Sequence, residues 1–274
     1  KEDDFIDNMF MANTHDYILC FSSLGRVYWV KVYNVPQGGR ISKGKPINNL
    51  LQLEKAEKIN AVLPVKAFDD NRYIFMATSL GTVKKTPLSE FSRPRSNGII
   101  AIGLDEGDYL IGVALTEGNH DVMLFSDGGK AMRFSENDVR PVGRSARGVR
   151  GMRLGAGQKV ISLLVAENEE LTVLTATENG YGKRTPISEY TRHNRGTQGM
   201  IAINTSARNG KVVAAQLVKQ DDEIMLITTG GILIRTRVSE IREMGRATQG
   251  VTLINLDEGE KLVGLERVVE ADEE

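Results

Sequence analysis

Residues 73–88 read YIFMATSLGTVKKTPL, in which an apolar run meets a small polar turn at Gly81 and continues as a run of mixed polarity. This pattern predicts a β-hairpin, because β-forming residues flank a turn whose glycine can adopt a positive φ. The sequence contains five such strings. Their turn glycines are Gly25, Gly81, Gly129, Gly180 and Gly231, at spacings of 56, 48, 51 and 51 residues.

A second glycine follows each turn at a nearly constant distance. These second glycines are Gly44, Gly98, Gly148, Gly199 and Gly250, 17 to 19 residues after the first. A third apolar run then follows, such as IIAIGL at 99–104, and after a turn a fourth, such as YLIGVAL at 109–115. Four strands per unit and a period near 50 residues predict an all-β array of propeller-like blades with almost no helix.

The repeats account for nearly the whole chain, and no linker rich in Pro, Ser or Gly divides it. We therefore predict a single domain, with repeats at about residues 17–66, 72–117, 121–167, 171–219 and 223–269. Residues 1–16 correspond to the last strand region of an incomplete unit and are predicted to form a partial first blade. Residues 270–274 form an acidic tail, which is either solvated or competes with phosphate for basic side chains.

Composition excludes several classes of protein. The 274 residues are 26% charged and 41% hydrophobic, too apolar for a disordered chain, yet no apolar run approaches the ~20 residues that cross a membrane. The single cysteine, Cys20, cannot form an internal disulfide, and the start KEDDFIDNMF lacks a signal-peptide profile, so we expect a reducing cytoplasm. Three scattered histidines and the absence of known catalytic motifs predict no metal site, no cofactor and no catalytic residue in this domain.

The net charge of −1 hides a strong segregation of charge. The spans from first to second glycine carry +15 in 98 residues, whereas the other 176 residues carry −16. Because blades are arranged around an axis, equivalent positions of each repeat fall on one rim, and a positive belt is predicted there. Such a belt fits duplex DNA held through its phosphates without reading of bases. The plainer alternative is a solvated charged face.

The candidate DNA-binding residues form two sets. The first lies on the second strand of each hairpin: Arg26, Lys31, Lys84, Lys85, Lys130, Arg133, Lys183, Arg184, Arg235 and Arg237. The second lies in the loop that follows: Arg40, Lys43, Lys45, Arg93, Arg95, Arg140, Arg144, Arg147, Arg192, Arg195, Arg242 and Arg246. Because exposed charges contribute little to folding, we predict that reversing the charge of Lys84, Lys85, Lys183 and Arg184 together weakens DNA binding and leaves thermal stability nearly unchanged. The interleaved aromatic residues are expected to pack within blades rather than to stack on bases.

The strings ATSLGTVKKTPLSEF, GYGKRTPISEY, VGRSARGVRGMRLG and MGRATQGVTLI closely resemble the C-terminal domain family of the DNA gyrase A subunit. The resemblance implies a six-bladed β-pinwheel, in which blades exchange strands with their neighbours. It implies a non-catalytic domain that wraps duplex DNA around its basic perimeter and presents a segment for strand passage, so that supercoiling is negative. The implied partners are the rest of the A subunit, together with the B subunit of gyrase, in a heterotetramer that uses ATP and Mg elsewhere. The isolated domain would be a monomer in the bacterial cytoplasm, associated with the nucleoid.

One family motif is missing from this chain. The signature box Gln-Arg-Arg-Gly-Gly-Lys-Gly does not occur, and the family pattern places it just before Lys1. Degenerate echoes stand at Gln37–Arg40 and Arg195–Gly199. Two alternatives remain open at this point: the related C-terminal domain of topoisomerase IV, and a propeller-type scaffold whose basic rim binds an acidic protein.

Overall fold

The computed structural model describes residues 17–31 and 51–268, and in these residues the chain is almost entirely β-sheet. The strands are β1 Tyr17–Ser22, β2 Arg26–Lys31, β3 Ile59–Val65, β4 Tyr73–Thr78, β5 Thr82–Pro87, β6 Ile99–Ile100, β7 Leu110–Thr116, β8 Asp121–Ser126, β9 Lys130–Ser135, β10 Val149–Arg150, β11 Val160–Ala166, β12 Thr172–Thr177, β13 Tyr181–Pro186, β14 Met200–Ile201, β15 Val212–Val218, β16 Glu223–Thr228, β17 Leu233–Arg237, β18 Val251–Thr252 and β19 Leu262–Arg267. The helical elements of these residues are single turns of 3-10 helix at Leu88–Phe91, Glu136–Asp138, Ile187–Glu189 and Val238–Glu240. The prediction of almost no helix is confirmed for this part of the chain.

All five predicted hairpins are present, and each turns at its first glycine. The φ angles of the turn glycines are 78°, 92°, 82°, 89° and 74° for Gly25, Gly81, Gly129, Gly180 and Gly231. These values lie in the left-handed region, which side chains with a Cβ rarely adopt. The interpretation of these glycines as tight turns is therefore confirmed.

The hairpins build five sheets, here called blades 1 to 5 in chain order. Blades 1 to 4 have four strands each, in the orders β3-β1-β2-β6, β7-β4-β5-β10, β11-β8-β9-β14 and β15-β12-β13-β18. Blade 5 has three strands, in the order β17-β16-β19. The fourth strand of each four-stranded blade comes from a later repeat: Ile99 and Ile100 of β6, for example, pair with Val27 and Arg26 of β2. We call β6, β10, β14 and β18 the exchange strands.

Within each blade, the strands follow one another from the centre of the array to its perimeter. The strands β3, β7, β11, β15 and β19 each contact their counterpart in the neighbouring blade, so they face the centre. The exchange strands are at the opposite edge of each sheet and therefore lie at the perimeter. The loops that lead into the exchange strands lie at the perimeter as well.

Two details of the predicted architecture need correction. In units 2 to 5, the third apolar run forms a strand of only two residues, which belongs to the preceding blade because the hairpin strand there has an open edge. The described residues form five blades instead of six, because a blade is built on a hairpin and they contain five hairpins. The partial blade predicted at 1–16 and the acidic tail at 270–274 lie outside the described residues.

The apolar core lies between successive blades. Leu19 and Phe21 of blade 1 pack with Ile74 and Met76 of blade 2 in one buried cluster, and equivalent clusters follow between the later blades. Aromatic side chains join the 3-10 turn or second strand of one repeat to the preceding hairpin, as in the edge-on pair of Phe125 and Tyr190, whose ring centroids are 5.7 Å apart. Packing within the fold was expected for Tyr28, Phe91, Phe134, Tyr181 and Tyr190, and burial confirms it for four of them. Tyr181 is half-buried, with the guanidinium carbon of Arg208 4.2 Å from the centre of its ring.

Candidate nucleic-acid interface

The second hairpin strands of blades 2 to 4 bury most of their basic residues. Lys84, Lys85, Lys183, Arg184 and Arg133 are all buried, and Lys84 and Lys183 are 0% exposed. The reason lies in the packing of the blades, because a strand in the middle of a blade is covered on both faces by neighbouring repeats. These five residues were predicted to face DNA, and their burial contradicts that placement. Reversing the charge of Lys84, Lys85, Lys183 and Arg184 would leave buried ions unpaired, so we now expect thermal stability to fall instead of staying nearly unchanged.

The fourth residue after each turn glycine joins its blade to the next repeat. In blades 1 to 4 this residue donates to a carbonyl oxygen in or beside the following 3-10 turn. Trp29 Nε1 donates to Phe91 O at 2.8 Å, Lys85 Nζ to Glu136 O at 3.2 Å, Arg133 Nη1 to Ile187 O at 3.2 Å and Arg184 Nε to Ile241 O at 2.9 Å. These side chains therefore hold successive repeats together.

In blades 2 to 4, the third residue after the turn glycine contacts the loop that precedes the second glycine of the following repeat. We call these loops, at residues 92–97, 140–147, 191–198 and 242–249, the edge loops. Lys84 Nζ donates to the carbonyl oxygen of Arg144 in one edge loop, and Lys183 Nζ donates to Gly245 O at 2.6 Å in another. Burial lowers the pKa of each ammonium group to about 8.

The edge loops carry the basic residues that do reach solvent. Within the described residues, the exposed side chains without a hydrogen-bond or carboxylate partner include Arg93, Arg95, Arg140 and Arg242, one or two on each of three edge loops. All four belong to the predicted set. Their position between a 3-10 turn and an exchange strand places them at the perimeter, as the repeat pattern predicted.

A second group of arginines links neighbouring perimeter segments. Each lies four residues before the second glycine of its repeat and reaches an exchange strand of an earlier blade. Arg144 Nη1 donates to Ile100 O at 3.5 Å, Arg195 Nη1 to Arg150 O at 3.0 Å and Arg246 Nη1 to Ile201 O at 2.7 Å. These hydrogen bonds thus connect the perimeter segments in series.

Carboxylates neutralise part of the predicted set. Asp121 binds both Arg133 Nε at 2.8 Å and Arg192 Nη2 at 2.7 Å. Arg147 pairs with Asp105 at 3.2 Å, with both side chains largely exposed. Arg235 of blade 5 is bound to Glu223. These residues contribute less positive potential than a count of cations implies.

The remaining predicted residues divide by location. Arg26 and Lys130 are half-buried at the start of their strands, where Arg26 Nη1 donates to Asn97 O at 3.2 Å. Lys31 and Arg237 are exposed at strand ends, and Lys31 Nζ lies 5.8 Å from the centre of the Tyr17 ring. Arg40, Lys43 and Lys45 lie outside the described residues.

Two exposed arginines of the perimeter were not predicted from the sequence. Arg150 lies on the exchange strand β10 and Arg153 lies just beyond it. Both follow the second glycine, whereas the charge count stopped at that glycine. The string VRGMR at 149–153 could have indicated them, because it follows a basic edge loop and contains two more arginines.

In residues 17–31 and 51–268, no three His, Cys, Asp or Glu side chains are arranged to hold a metal ion. Cys20 is buried, and burial raises its thiol pKa to about 12, so it is a core residue as predicted. No helix in this part of the chain has the length and apolar character needed to cross a membrane.

Comparisons with known proteins agree with the repeat pattern. The family described as "DNA gyrase C-terminal domain, beta-propeller" matches residues 16–66, 72–117, 120–167, 172–219 and 222–268. The A subunit of DNA gyrase from Neisseria gonorrhoeae is 52% identical over 100% of this chain and 34% of its own length. The Escherichia coli A subunit is 56% identical over 100% of this chain and 31% of its own length. The chain therefore spans about a third of the length of these relatives.

Solved structures share the architecture. A C-terminal domain of DNA topoisomerase IV has a TM-score of 0.85 at 26% identity, covering 93% of this chain and 80% of its own. A DNA gyrase A C-terminal domain has a TM-score of 0.80 at 28% identity, covering 94% of this chain and 84% of its own. The two folds are similarly close, but the sequence relatives above 50% identity carry the gyrase name. The comparison favours gyrase over the topoisomerase IV alternative.

Proposed function

The chain belongs to the DNA gyrase C-terminal domain family, and from that premise we propose that it binds duplex DNA along its perimeter and bends it. The domain itself is a non-catalytic part of the enzyme. Its partners are the rest of the A subunit and the B subunit of gyrase. The assembled enzyme acts in the bacterial cytoplasm and uses ATP and Mg outside this domain. Bending presents a segment of the same DNA for strand passage and directs negative supercoiling.

The observation that supports this proposal is the series of basic edge loops connected along the perimeter. Arg93, Arg95, Arg140 and Arg242 extend from edge loops without carboxylate partners, and the series of arginine contacts to the exchange strands joins these loops. Guanidinium groups bind phosphate oxygens bidentately, and such contacts do not depend on base sequence. A track of this kind suits a polyanion that must be held over a long path.

The energy balance is favourable for bending. Smoothly bending a short duplex site costs on the order of 1–6 kcal/mol. Each neutralised phosphate releases condensed counterions, and many weak contacts of this kind offset that cost. The expectation is strong dependence of binding on salt and little dependence on sequence.

A salt titration tests the proposal. We expect the logarithm of the affinity for duplex DNA to fall linearly with the logarithm of salt concentration, with a slope of about −0.9 per phosphate neutralised. The double variant R140Q/R242Q should bind more weakly and with a shallower slope. The matched control K66Q/K219Q removes two exposed charges that follow the inner strands β3 and β15, and should bind like the unaltered protein.

The result also separates the scaffold alternative. A protein-interaction scaffold would show no duplex binding at low salt, or a slope near zero. Equal losses in both double variants would assign the binding to net charge instead of to the perimeter.

A further inference from the structure

One position of the repeat holds a lysine in two blades and an apolar or aromatic residue in the other three. It is the third residue after the turn glycine, occupied by Tyr28, Lys84, Met132, Lys183 and Ile234 in blades 1 to 5. Met132 is 1% exposed, and its Sδ accepts from Thr197 Oγ1 at 3.1 Å. The blade thus tolerates an apolar side chain at this position, yet two blades bury an ammonium group there.

Lys183 is surrounded by oxygens of one edge loop. Four acceptors lie within hydrogen-bond distance of the three hydrogens on its Nζ: Gly245 O at 2.6 Å, Thr248 O at 3.2 Å, Thr248 Oγ1 at 3.0 Å and Arg246 O. These acceptors all come from the short span 245–248 of the loop at 242–249. The Lys183 side chain, which extends from β13, therefore fixes the shape of this loop.

Lys84 repeats the arrangement two blades earlier. Its Nζ donates to Arg144 O in the edge loop at 140–147 and to Ala101 O at 2.9 Å, just beyond the exchange strand β6. One ammonium group thus binds both the edge loop and the chain that follows the exchange strand. Both segments lie at the perimeter.

A buried ammonium group is expensive unless its hydrogens all find acceptors. The cost is visible here, since burial lowers the pKa of Lys84 and Lys183 well below the usual value for lysine. The converse also holds, because carbonyl oxygens that converge on one point repel each other and are left unsatisfied when the cation is removed. The edge loop would then have to rearrange.

The loops held in this way carry Arg144 and Arg246. Each lysine binds the backbone carbonyl of that arginine, while the guanidinium group of the same arginine reaches an exchange strand of an earlier blade. The position of the arginine is thus fixed at both ends. We propose that Lys84 and Lys183 are positioning residues, which hold two edge loops in the shape that places their arginines against DNA phosphates.

This inference rests on the proposed function, and its test uses variants for which blade 3 provides the natural precedent. The double variant K84M/K183M places at both sites the residue found at position 132. The control M132L changes the same position in blade 3 with little change in volume. Hydrogen exchange of loop amides and salt titration of duplex binding are measured for the unaltered protein and both variants.

We expect K84M/K183M to fold, with faster amide exchange at 140–148 and 242–250 and unchanged exchange at 191–199. Its affinity for duplex DNA should fall, and its salt slope should become shallower by about 0.9 for each phosphate that is no longer neutralised. M132L removes only the weak sulfur acceptor of Thr197 Oγ1, so any change in its amide exchange should be confined to 191–199, and its salt slope should match that of the unaltered protein. A lysine with a merely structural role would leave the salt slope of the folded variant unchanged.

A folded K84M/K183M with unaltered exchange or an unaltered salt slope overturns the inference. If the double variant does not fold, the single variant K84M should give the same changes in the loop at 140–147 and leave the loop at 242–249 unchanged; a K84M protein that behaves like the unaltered protein overturns the inference equally. Failure of the proposed function is distinct, because the unaltered protein would then not bind duplex DNA. Amide hydrogen exchange of the loops in the variants would still show whether the lysines hold the loops in place.

Discussion

Adjacent basic residues on one strand are both buried in this fold, although their side chains point to opposite faces of the sheet. Lys84 and Lys85 point to opposite faces of blade 2, and both are buried because another repeat covers each face. The sequence pattern therefore identified the basic positions correctly but could not separate buried from exposed ones. That separation depends on how blades pack, which no single repeat encodes.

The buried lysines give the protein a specific pH dependence of stability. Burial lowers the pKa of Lys84 and Lys183 to about 8 from 10.5. Nearby carboxylates of Glu90 and Glu189 raise it, and the guanidinium groups of Arg144 and Arg246 lower it further. The unfolded chain keeps the ordinary value, so between about pH 8 and 10.5 the unfolded state binds more protons than the folded state.

We therefore expect the free energy of unfolding of the unaltered protein to rise, relative to K84M/K183M, as pH increases through this window. Below about pH 8 both states are protonated and the difference between the two proteins should be constant. Urea unfolding at pH 7.5 and 9.5 measures the difference. The control M132L keeps both lysines and changes no titratable group, so its difference from the unaltered protein should be the same at the two pH values. Parallel pH profiles for the unaltered protein and K84M/K183M would contradict the assignment.

At the scale of elements, the turn glycines do more than reverse the chain. Gly129 O accepts from Ala202 N at 2.8 Å, and a Cβ on Gly129 would lie 2.4 Å from Ile203 O. The turn thus receives the chain just after the exchange strand β14, and only glycine permits this close approach. Gly231 of blade 5 has a φ of 74°, but a Cβ there would meet nothing within 4 Å, because no exchange strand reaches this blade in the described residues.

The two glycines form a matched pair for mutation. G231A incurs the cost of a left-handed alanine, about 1 kcal/mol. G129A incurs the same cost plus a clash with Ile203 O, so it should lower the free energy of unfolding by clearly more. Urea unfolding of both variants measures the two losses. Equal losses would mean that the exchange strand does not press on the turn.

The exchange itself was beyond what the residues alone could indicate. The runs IIAIGL and MIAINT were correctly predicted to contain strands. Each pairs through only two residues, which is too short for the sequence to indicate the strand with which it pairs. Turn glycines and hairpins were predictable because φ and side-chain alternation are local properties. Strand exchange came from the family resemblance, and the structure assigns each exchange strand to an earlier blade.

At the scale of the whole molecule, the repeat converts local charge into a long surface. The candidate site was predictable in outline, because equivalent loops of blades must share a rim. Its composition was not, since Asp121 and Asp105 come from outside the basic spans and still reach Arg192 and Arg147. Exposed apolar side chains also lie on this perimeter, such as Ile100 at 54% exposure, next to the arginines of the track.

A track that continues over several blades must bind long DNA differently from short DNA. A duplex of about 10 bp, roughly one helical turn, can contact only part of the perimeter. A duplex of about 60 bp is well below the persistence length of about 150 bp and stays nearly straight in the absence of protein. If the edge loops of successive blades hold one duplex, the longer DNA should bind more tightly than its larger number of overlapping sites accounts for, and its two ends should approach each other.

Energy transfer between dyes on the two ends of the longer duplex measures this approach. We expect transfer to increase on binding, and to increase less for R140Q/R242Q, because that variant weakens the track at two separate edge loops. K66Q/K219Q should give the full increase, since its substitutions follow inner strands. Tight binding with no change in end-to-end distance would mean that the cations act as separate patches, and a continuous perimeter path for DNA would have to be abandoned.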